Sequence, residues 1–134
     1  MNEKPPKPAQ TPSDLSGPFW AGAAAGRLMI QRCTACGKLR HYPRLLCDAC
    51  YGDGVEWVEA SRRGTIHSWT VAHHAFHPAF KAELPYTLVT VDLEEGVRAL
   101  GRWRGGAPAI GVPVVGRFEA RTDGVDLVFA PQSA

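Results

Sequence analysis

The sequence predicts a mainly β protein in which a short helix and a small metal-binding part precede a C-terminal barrel. Two Cys-x-x-Cys pairs indicate the metal-binding part, and a run of short alternating segments between glycine turns indicates the barrel. Hydrophobic residues make up 45% of the 134 residues, which is enough to build a core. These features divide the chain into a disordered or partner-docking tail (1–17), a helix with the metal-binding part (18–60) and the barrel (61–134).

The N-terminal tail, residues 1–17, contains four prolines and few apolar side chains. Such a composition is typical of a disordered segment or of one that docks on a partner. A short helix is expected next, with Ser16 as its cap, Pro18 in its first turn and Gly26 as its left-handed stop. On this helix Phe19 and Trp20 either anchor the element to its own domain or contact a partner subunit.

The strands follow from alternating apolar and polar residues. In the metal-binding part they are expected at 27–32 and 39–46, which form a hairpin, and at 55–59. Five more are expected at 65–73, 86–93, 97–103, 112–121 and 125–129, with turn signals at 94–96, 105–108 and 122–124. Five strands joined by glycine turns predict a small closed barrel, and five is the strand count of an OB-fold.

The metal site is predicted from the cysteines, all four of which lie in the two pairs, namely Cys33, Cys36, Cys47 and Cys50. Two such turns supply the thiolates of a tetrahedral Zn²⁺ site, and four protein ligands leave no open position, so the ion is expected to be structural. Gly37 and Gly52 follow the pairs and are expected to help the backbone turn around the metal. Two disulfides, a redox Cys-x-x-Cys and rubredoxin-like iron remain alternatives.

The charge of the chain is nearly balanced, at +2 from 15 basic and 13 acidic residues. This balance argues against a dedicated nucleic-acid binder, which usually carries a clear basic stripe. A nucleic-acid-binding OB-fold with Trp69, Phe76 and Trp103 as stacking platforms remains the alternative interpretation. The N-terminus shows no secretory signal and no apolar segment is long enough to span a bilayer, so a cytoplasmic protein without membrane contact is expected.

Motifs for catalysis are missing from the sequence. The cysteines are assigned to the metal, no serine lies in a Gly-x-Ser-x-Gly elbow, and Gly105-Gly106 lacks the Lys-Ser/Thr of a phosphate-binding loop. The chain by itself is therefore not expected to catalyse a reaction.

An ordered series of motifs supports a family resemblance. Phe19-Trp20 and Gly26-Arg27-Leu28 precede the cysteine pairs, Tyr42-Pro43-Arg44 lies between them, and GTIHSWTV (64–71), FHPAF (76–80), LPY (84–86) and VDLEEGVR (91–98) follow. In this combination, over residues 18–130, the chain resembles the DUF35 family. The resemblance implies a rubredoxin-like zinc ribbon followed by an OB-fold. One segment, 102–111, is shorter and richer in glycine than the connection that relatives often have.

The resemblance also implies a function. Members of this family accompany thiolase-superfamily enzymes, including thiolases and the aldolases that shorten steroid side chains carried on CoA. The expected role is an accessory subunit of a hetero-oligomer whose thiolase-like partner carries the catalytic cysteine or tyrosine. That complex would form or cleave carbon–carbon bonds in acyl-CoA thioesters, and this chain would contact the partner and help hold the CoA-linked substrate.

Residues that bind acyl-CoA are expected in the loop after the first barrel strand and at the junction of ribbon and barrel. An apolar channel suits the pantetheine arm of CoA, and cations suit its phosphates. The candidates are Arg62, Arg63, His73, His74, Phe76, His77, Phe80 and Tyr86. The histidine-rich segment 73–77 has other interpretations, namely a packed polar loop, a second metal site or a general base.

Overall fold

Two β-sheets follow each other along the chain in this structure, a computed structural model that describes residues 6–122 and 124–132. The N-terminal part contains helix α1 (Gly17–Ala24) and strands β1 (Met29–Cys33), β2 (Leu39–Arg40) and β3 (Val55–Glu59). The barrel contains β4 (Arg63–Ala72), a 3₁₀-helix (Pro78–Glu83), β5 (Tyr86–Leu93), β6 (Arg98–Trp103), β7 (Pro113–Arg121) and β8 (Gly124–Pro131).

The N-terminal sheet is open, whereas the second sheet closes into a barrel. The N-terminal sheet has the order β2-β1-β3, and the second sheet has the order β4-β5-β6-β8-β7 and closes through pairing of β4 with β7. Strands β6 and β8 run parallel, whereas the other pairs formed by the described strands are antiparallel. The predicted fold class, a ribbon followed by a five-stranded OB-fold barrel, is therefore confirmed.

The predicted strand at 39–46 is wrong in length, because β2 contains only Leu39–Arg40. The chain leaves the sheet there to contact the barrel and β1. The Tyr42 hydroxyl accepts the backbone N–H of Leu100 at 3.1 Å, and Gln31 Oε1 accepts the backbone N–H of Arg44 at 2.8 Å. Residue Asp123 of the predicted turn at 122–124, residues 1–5 of the tail and residues 133–134 lie outside the described residues.

Helix α1 begins and ends near the predicted residues, with Pro18 in its first turn and Gly26 at a φ of +77° just beyond it. Ser16 occupies the N-cap position, but its hydroxyl accepts the backbone N–H of Ser13 at 3.0 Å and makes no capping bond to the helix. The buried Ala23 faces the interior. No helix in the described ranges has the length and apolar character needed to cross a membrane.

The ribbon and the barrel share one hydrophobic core. Leu28 and Ile30, which lie at the start of the ribbon, pack in the same buried cluster as Ile66, Val89 and the other barrel residues. Burial of such side chains stabilises the fold by about 1.5–3 kcal/mol each. The packing therefore links the metal-binding part to the barrel.

The N-terminal segment lies against the barrel over its described residues. Gln10 forms two hydrogen bonds with the backbone of Val125, at 2.7 Å to its carbonyl and 3.0 Å from its N–H. Arg121 donates to the carbonyl of Pro8 at 3.0 Å, and Lys7 forms an ion pair of 2.9 Å with Glu83. The described part of the predicted tail is therefore held by its own chain.

Candidate functional site

The four cysteine sulfurs form one cluster, in which all Sγ atoms lie within 4.8 Å of one another. The Sγ atoms of Cys33 and Cys50 are 3.6 Å apart, as are those of Cys36 and Cys47. A tetrahedral zinc ion with Zn–S bonds of about 2.3 Å requires Sγ atoms separated by about 3.8 Å. The four predicted ligands thus come together, and their geometry supports a structural zinc ion with no coordination position left open.

Two tight turns bring the sulfurs together. In the first, the Gly37 N–H donates to the Cys33 carbonyl at 2.9 Å, and in the second the Tyr51 N–H donates to the Cys47 carbonyl at the same distance. The residue that closes each turn is left-handed, with φ of +80° at Gly37 and +61° at Tyr51. A tyrosine therefore takes in the second turn the position that glycine takes in the first.

The left-handed position of the second turn belongs to Tyr51 and not to Gly52, but Gly52 takes part in the turn, since its carbonyl accepts the N–H of Cys47 at 2.9 Å. Gly52 also provides space. A Cβ at this position would lie 3.3 Å from the Sγ of Cys50 and 3.3 Å from the Cβ of Ala35, which is tighter than most carbon contacts in proteins. The small residue therefore lets the two turns approach each other beside the metal.

Backbone groups and neighbouring sulfurs shift the pKa values within the cluster in opposite directions. The N–H groups of Cys36 and Ala35 lower the pKa of Cys33 to about 6. At Cys50 the N–H of Gly52 also acts to lower the pKa, but the neighbouring sulfurs, led by Cys33, outweigh it and raise the pKa to about 11. A divalent cation would balance this crowding of negative charge, which is consistent with a zinc site.

An apolar cleft of about 440 Å³ lies between the N-terminal part and the barrel. Its walls come from α1, from the turn at 41–43, from the 3₁₀-helix and from strands β5, β6, β7 and β8. Its apolar lining includes Phe19, Trp20, Phe80, Tyr86, Leu100 and Phe118. An apolar cavity of this size is typical of a small-molecule site.

Phe19 connects the aromatic side chains on one wall of this cleft. Its ring centroid lies 5.0 Å from that of Trp20, 5.6 Å from His41 and 6.5 Å from Phe118, and its side chain also packs against the core. Phe19 therefore anchors α1 to its own chain, which was one of the two expected roles. A partner contact through Phe19 or Trp20 stays a prediction.

Charged groups lie at one edge of the same cleft. The Arg102 guanidinium stacks 4.2 Å from the ring centroid of Tyr86 and forms an ion pair with Glu83, which also pairs with Lys7. Burial acts to raise the pKa of Glu83, but these two cations outweigh it and hold the pKa below its usual value. Glu83 thus stays ionised at neutral pH and holds the Arg102 side chain in place.

Two of the predicted acyl-CoA-binding residues, Phe80 and Tyr86, line the cleft with ring centroids 6.3 Å apart. His77 lies beside Phe80, with ring centroids 6.2 Å apart. Its Nδ1 accepts the N–H of Ala79 at 3.1 Å and thereby caps the 3₁₀-helix. The structure thus gives His77 a local role in positioning Phe80.

The remaining candidates lie elsewhere. The predicted strand reached residue 73, but β4 ends before His73 and His74, which lie in a loop with Phe76, a side chain that is 92% exposed. Arg62 and Arg63 lie at the other end of β4, and its ten residues correspond to about 30 Å of strand. The structure does not bring these two groups together, and their contact with CoA stays a prediction.

Several cleft residues were not predicted, notably Leu88, Leu100 and Phe118. A signal for the first two was present in the alternation of their strands. Val89 and Ala99 are fully buried in the barrel, so Leu88 and Leu100 point outward although they are apolar. Apolar residues on the outward face of adjacent strands indicate that another element or a ligand covers that face.

Of the three aromatic side chains expected to stack on nucleic-acid bases, one is buried and two are exposed. Trp103 is only 8% exposed, and its indole Nε1 donates to the carbonyl of Gly106 at 2.6 Å. Its ring therefore cannot offer a free face to a base, and this part of the prediction is wrong. Trp69 and Phe76 are exposed.

Comparisons with known proteins divide the chain within β3, close to the boundary between the two sheets. The rubredoxin-like zinc ribbon domain of ChsH2 matches residues 20–56, and the C-terminal OB-fold domain of ChsH2 matches residues 57–119. Together these matches run without interruption from α1 into β7.

Curated relatives carry the same region. The probable enoyl-CoA hydratase alpha subunit of Thermomonospora curvata is 46% identical over 101 residues, which are 72% of this chain and 31% of the relative. The 3-oxo-4,17-pregnadiene-20-carboxyl-CoA hydratase alpha subunit of Mycobacterium tuberculosis is 42% identical over 102 residues, with the same coverage of 72% and 31%. The chain thus spans about a third of the length of these two relatives. The benzoylsuccinyl-CoA thiolase subunit BbsA of Thauera aromatica is 28% identical, over 89% of this chain and 78% of that subunit.

A solved structure resembles the chain over nearly its whole length. A chain of the Ltp2-ChsH2(DUF35) aldolase superposes with a TM-score of 0.80 at 40% identity, covering 93% of this chain and 98% of that one. The protein therefore belongs to the DUF35 family, as a zinc ribbon joined to an OB-fold.

Proposed function

We propose that the chain is a non-catalytic subunit of a thiolase-superfamily complex that acts on acyl-CoA thioesters. In this role it contacts the catalytic partner and helps to hold the CoA-linked substrate. The observation that carries the proposal is the likeness, over 93% of the chain, to a DUF35 chain of a solved aldolase. The relatives named as subunits of a CoA-thioester thiolase and of CoA-thioester hydratases support the same substrate class.

The metal site supports a division of labour between the chain and its partner. All four cysteines belong to one cluster, so none of them is available as a nucleophile. The chain would therefore supply binding and orientation, while the bond-making and bond-breaking groups would come from the partner. Holding a reactant in the correct geometry is by itself a large catalytic contribution.

The apolar cleft is the place where we expect the CoA-linked substrate to lie. Phe80 and Tyr86 offer flat apolar surface, and Leu100 extends it across β6. Arg102 adds a cation at the edge, already oriented by Glu83. An apolar surface with fixed hydrogen-bond donors at its edge suits the pantetheine arm of a CoA thioester, whose amide carbonyls accept hydrogen bonds.

The experiment is co-expression with a thiolase-like protein from the same source, followed by copurification and an acyl-CoA cleavage assay. We expect a stable hetero-oligomer by size-exclusion chromatography with light scattering, and turnover only when both chains are present. Turnover of an acyl-CoA by this chain alone, or failure of the two chains to associate, would reject the proposal.

A pair of variants tests the cleft within the complex. Leu100→Glu places a charge in the cleft, whereas Ile110→Glu places the same charge on an exposed surface outside it. Burying a carboxylate against an apolar ligand is costly, so we expect Leu100→Glu to raise KM about tenfold or more and Ile110→Glu to leave it unchanged. Equal KM values in both variants would contradict a substrate role for the cleft.

A further inference from the structure

A second cleft, of about 390 Å³, lies where the ribbon meets the barrel, on the side of β2 that faces the β5–β6 turn. It differs from the apolar cleft in its charge. Four cations and two carboxylates line it, namely Lys38, Arg40, Arg44 and Arg98 together with Asp48 and Asp92.

Two of these cations are already neutralised. Lys38 Nζ lies 2.8 Å from Asp48 Oδ2, and Arg98 Nε lies 2.7 Å from Asp92 Oδ1. Arg40 and Arg44 form no ion pair with any residue in the ranges 6–122 and 124–132. Arg40 and Arg44 are therefore the cleft cations that have no ion-pair partner among the described residues.

Arg40 is the unusual member of this group because it is only 5% exposed. Its Nε donates to Gln31 Oε1 at 2.7 Å, and its Nη2 donates to the carbonyl of Arg44 at 3.2 Å. Its Nη1 is buried and has no acceptor among the described residues. A buried guanidinium without a counter-charge is costly, and an oxyanion would relieve that cost.

The neighbouring residues hold Arg40 rigidly. Gln31, itself buried, accepts from both Arg40 and the backbone N–H of Arg44, at 2.7 and 2.8 Å. The amide oxygen of Gln31 therefore fixes both the Arg40 guanidinium and the backbone at Arg44. A cation that is oriented before the ligand arrives loses little entropy on binding.

We infer that this cleft binds a phosphoryl group, with Arg40 as the fixed cation at its wall and Arg44 as the exposed cation that closes on the ligand. A phosphate monoester carries a charge of about −1.5 to −2 at neutral pH, which matches two cations without ion-pair partners better than the single charge of one carboxylate does. Arginine also binds phosphate oxygens in a bidentate manner.

Two sources supply this chemistry, free inorganic phosphate and the phosphates of CoA. The binding of phosphate follows from the cleft alone, and only the assignment to CoA rests on the proposed function. The two sources are distinguished by competition, since inorganic phosphate displaces CoA only if CoA occupies the cleft through its phosphates.

The test is isothermal titration calorimetry of the zinc-loaded full chain, without its partner, against inorganic phosphate, CoA and acetate at equal ionic strength. We expect saturable binding of phosphate and none of acetate, which carries a single charge. Arg44→Gln should weaken phosphate binding about tenfold or more, the loss expected for one charge-assisted hydrogen bond. Arg27→Gln is the matched control, because it removes an exposed arginine that pairs with Glu59 outside the cleft.

Arg98→Gln serves as a second variant, since it changes the barrel side of the cleft without touching the buried Gln31–Arg40 pair. Displacement of CoA by phosphate, with both weakened by Arg44→Gln, assigns the cleft to CoA; phosphate binding that CoA does not affect assigns it to the free anion. Absence of saturable phosphate binding, or phosphate binding unchanged in Arg44→Gln and Arg98→Gln, would overturn the inference. Neither result depends on whether the chain associates with a thiolase-like partner.

Discussion

His41 is a side chain whose environment controls its charge. It lies at the wall of the apolar cleft between Phe19 and Tyr42, with ring centroids 5.6 and 4.1 Å away, and its Nδ1 is buried with no hydrogen-bond partner among the described residues. Burial lowers the pKa of His41 from 6.5 to about 4. The imidazole is therefore neutral in the folded protein at pH values where it is already charged in the unfolded chain.

This shift predicts a loss of stability in mild acid. Between pH 6.5 and about 4 the unfolded chain binds a proton at His41 that the folded chain does not, so the free energy of unfolding falls as the pH falls, by up to about 3 kcal/mol. In His41→Phe this contribution should vanish. Urea unfolding at pH 7 and pH 4.5 measures it, with His73→Phe, a substitution of an exposed loop histidine, as the control.

The contribution of His41 is the difference in pH dependence between the parent chain and His41→Phe, because acid also protonates the metal ligands in both. An unfolding free energy that falls equally with pH in the parent chain and in His41→Phe would show that His41 does not carry the effect.

A ligand substitution tests the cluster at the same scale. Cys36→Ser removes one of four thiolates, and we expect it to lower the zinc content well below one ion per chain and the free energy of unfolding by about 3 kcal/mol or more. Ala49→Ser introduces the same side chain within the second turn, where no ligand is lost. The zinc content is measured by mass spectrometry and the stability by thermal melting. A full zinc content in Cys36→Ser would contradict the metal site.

Single residues were predictable from the sequence where their chemistry is specific. The cysteine spacing predicts a metal site because few other arrangements satisfy four thiolates. The left-handed conformation of Tyr51 was not predictable from the sequence. Glycine adopts this conformation most readily, so the sequence favoured the neighbouring Gly52 for that position. Arg40 also gave no signal, because its burial depends on residues distant in sequence.

At the scale of elements, the barrel strands are fitted around one phenylalanine. Phe129 of β8 is fully buried, and it lies between glycines of two neighbouring strands. A Cβ would come within 2.6 Å of its ring at Gly101 of β6 and within 2.8 Å at Gly116 of β7. The absence of side chains on those strands therefore makes the room for this ring in the core.

This packing predicts a specific intolerance. Gly101→Ala forces a methyl group into the Phe129 ring, and overpacking of this kind costs about 1–3 kcal/mol. Gly106→Ala is the matched control, since nothing lies within 4 Å of a Cβ there. Thermal unfolding followed by circular dichroism should show a clear decrease in Tm for the first variant and little change for the second. A Tm of Gly101→Ala equal to that of the parent chain would mean that the barrel adjusts freely.

Elements were predictable where the alternation of apolar residues continues to their ends. The strands at 55–59 and 86–93 match their predicted bounds for this reason. The predicted strand at 39–46 failed because Tyr42 leaves the sheet for a hydrogen bond to Leu100, a contact 58 residues away that no local pattern contains.

At the scale of the whole molecule, the ribbon has two halves with different supports. Leu28 and Ile30 belong to the core of the barrel, whereas Cys33 and Cys47 are buried around the metal. Removal of the metal should therefore affect the two halves differently. The half that packs on the barrel keeps its apolar contacts when the other half loses the metal ion.

Hydrogen exchange after chelation measures this difference. We expect faster exchange in residues 33–54 when zinc is removed, and unchanged protection at Val89 and Val91, which lie in the centre of the barrel. Ile30 should retain intermediate protection. The parent chain with zinc restored is the control, and a barrel that loses protection together with residues 33–54 would contradict the separation.

The apolar cleft is a property of the assembled molecule. Its walls come from α1, from the turn at 41–43 and from strands of the barrel, so no segment of the sequence contains it. The resemblance in the motifs predicted the order of ribbon and barrel, but the place where they meet depends on packing between residues far apart in the chain.

The hydrogen bond from Leu100 to the Tyr42 hydroxyl has a consequence for the isolated barrel. Strands β6 and β8 begin to pair only at Arg102 and Val128, so the N–H of Leu100 projects into the seam ahead of that pairing. Tyr42 closes this seam from outside. An OB-fold expressed without its ribbon would leave the Leu100 N–H without its Tyr42 acceptor, at the part of the seam where β6 and β8 do not pair. The ribbon thus completes the hydrogen bonding of the barrel as well as holding the four cysteines together.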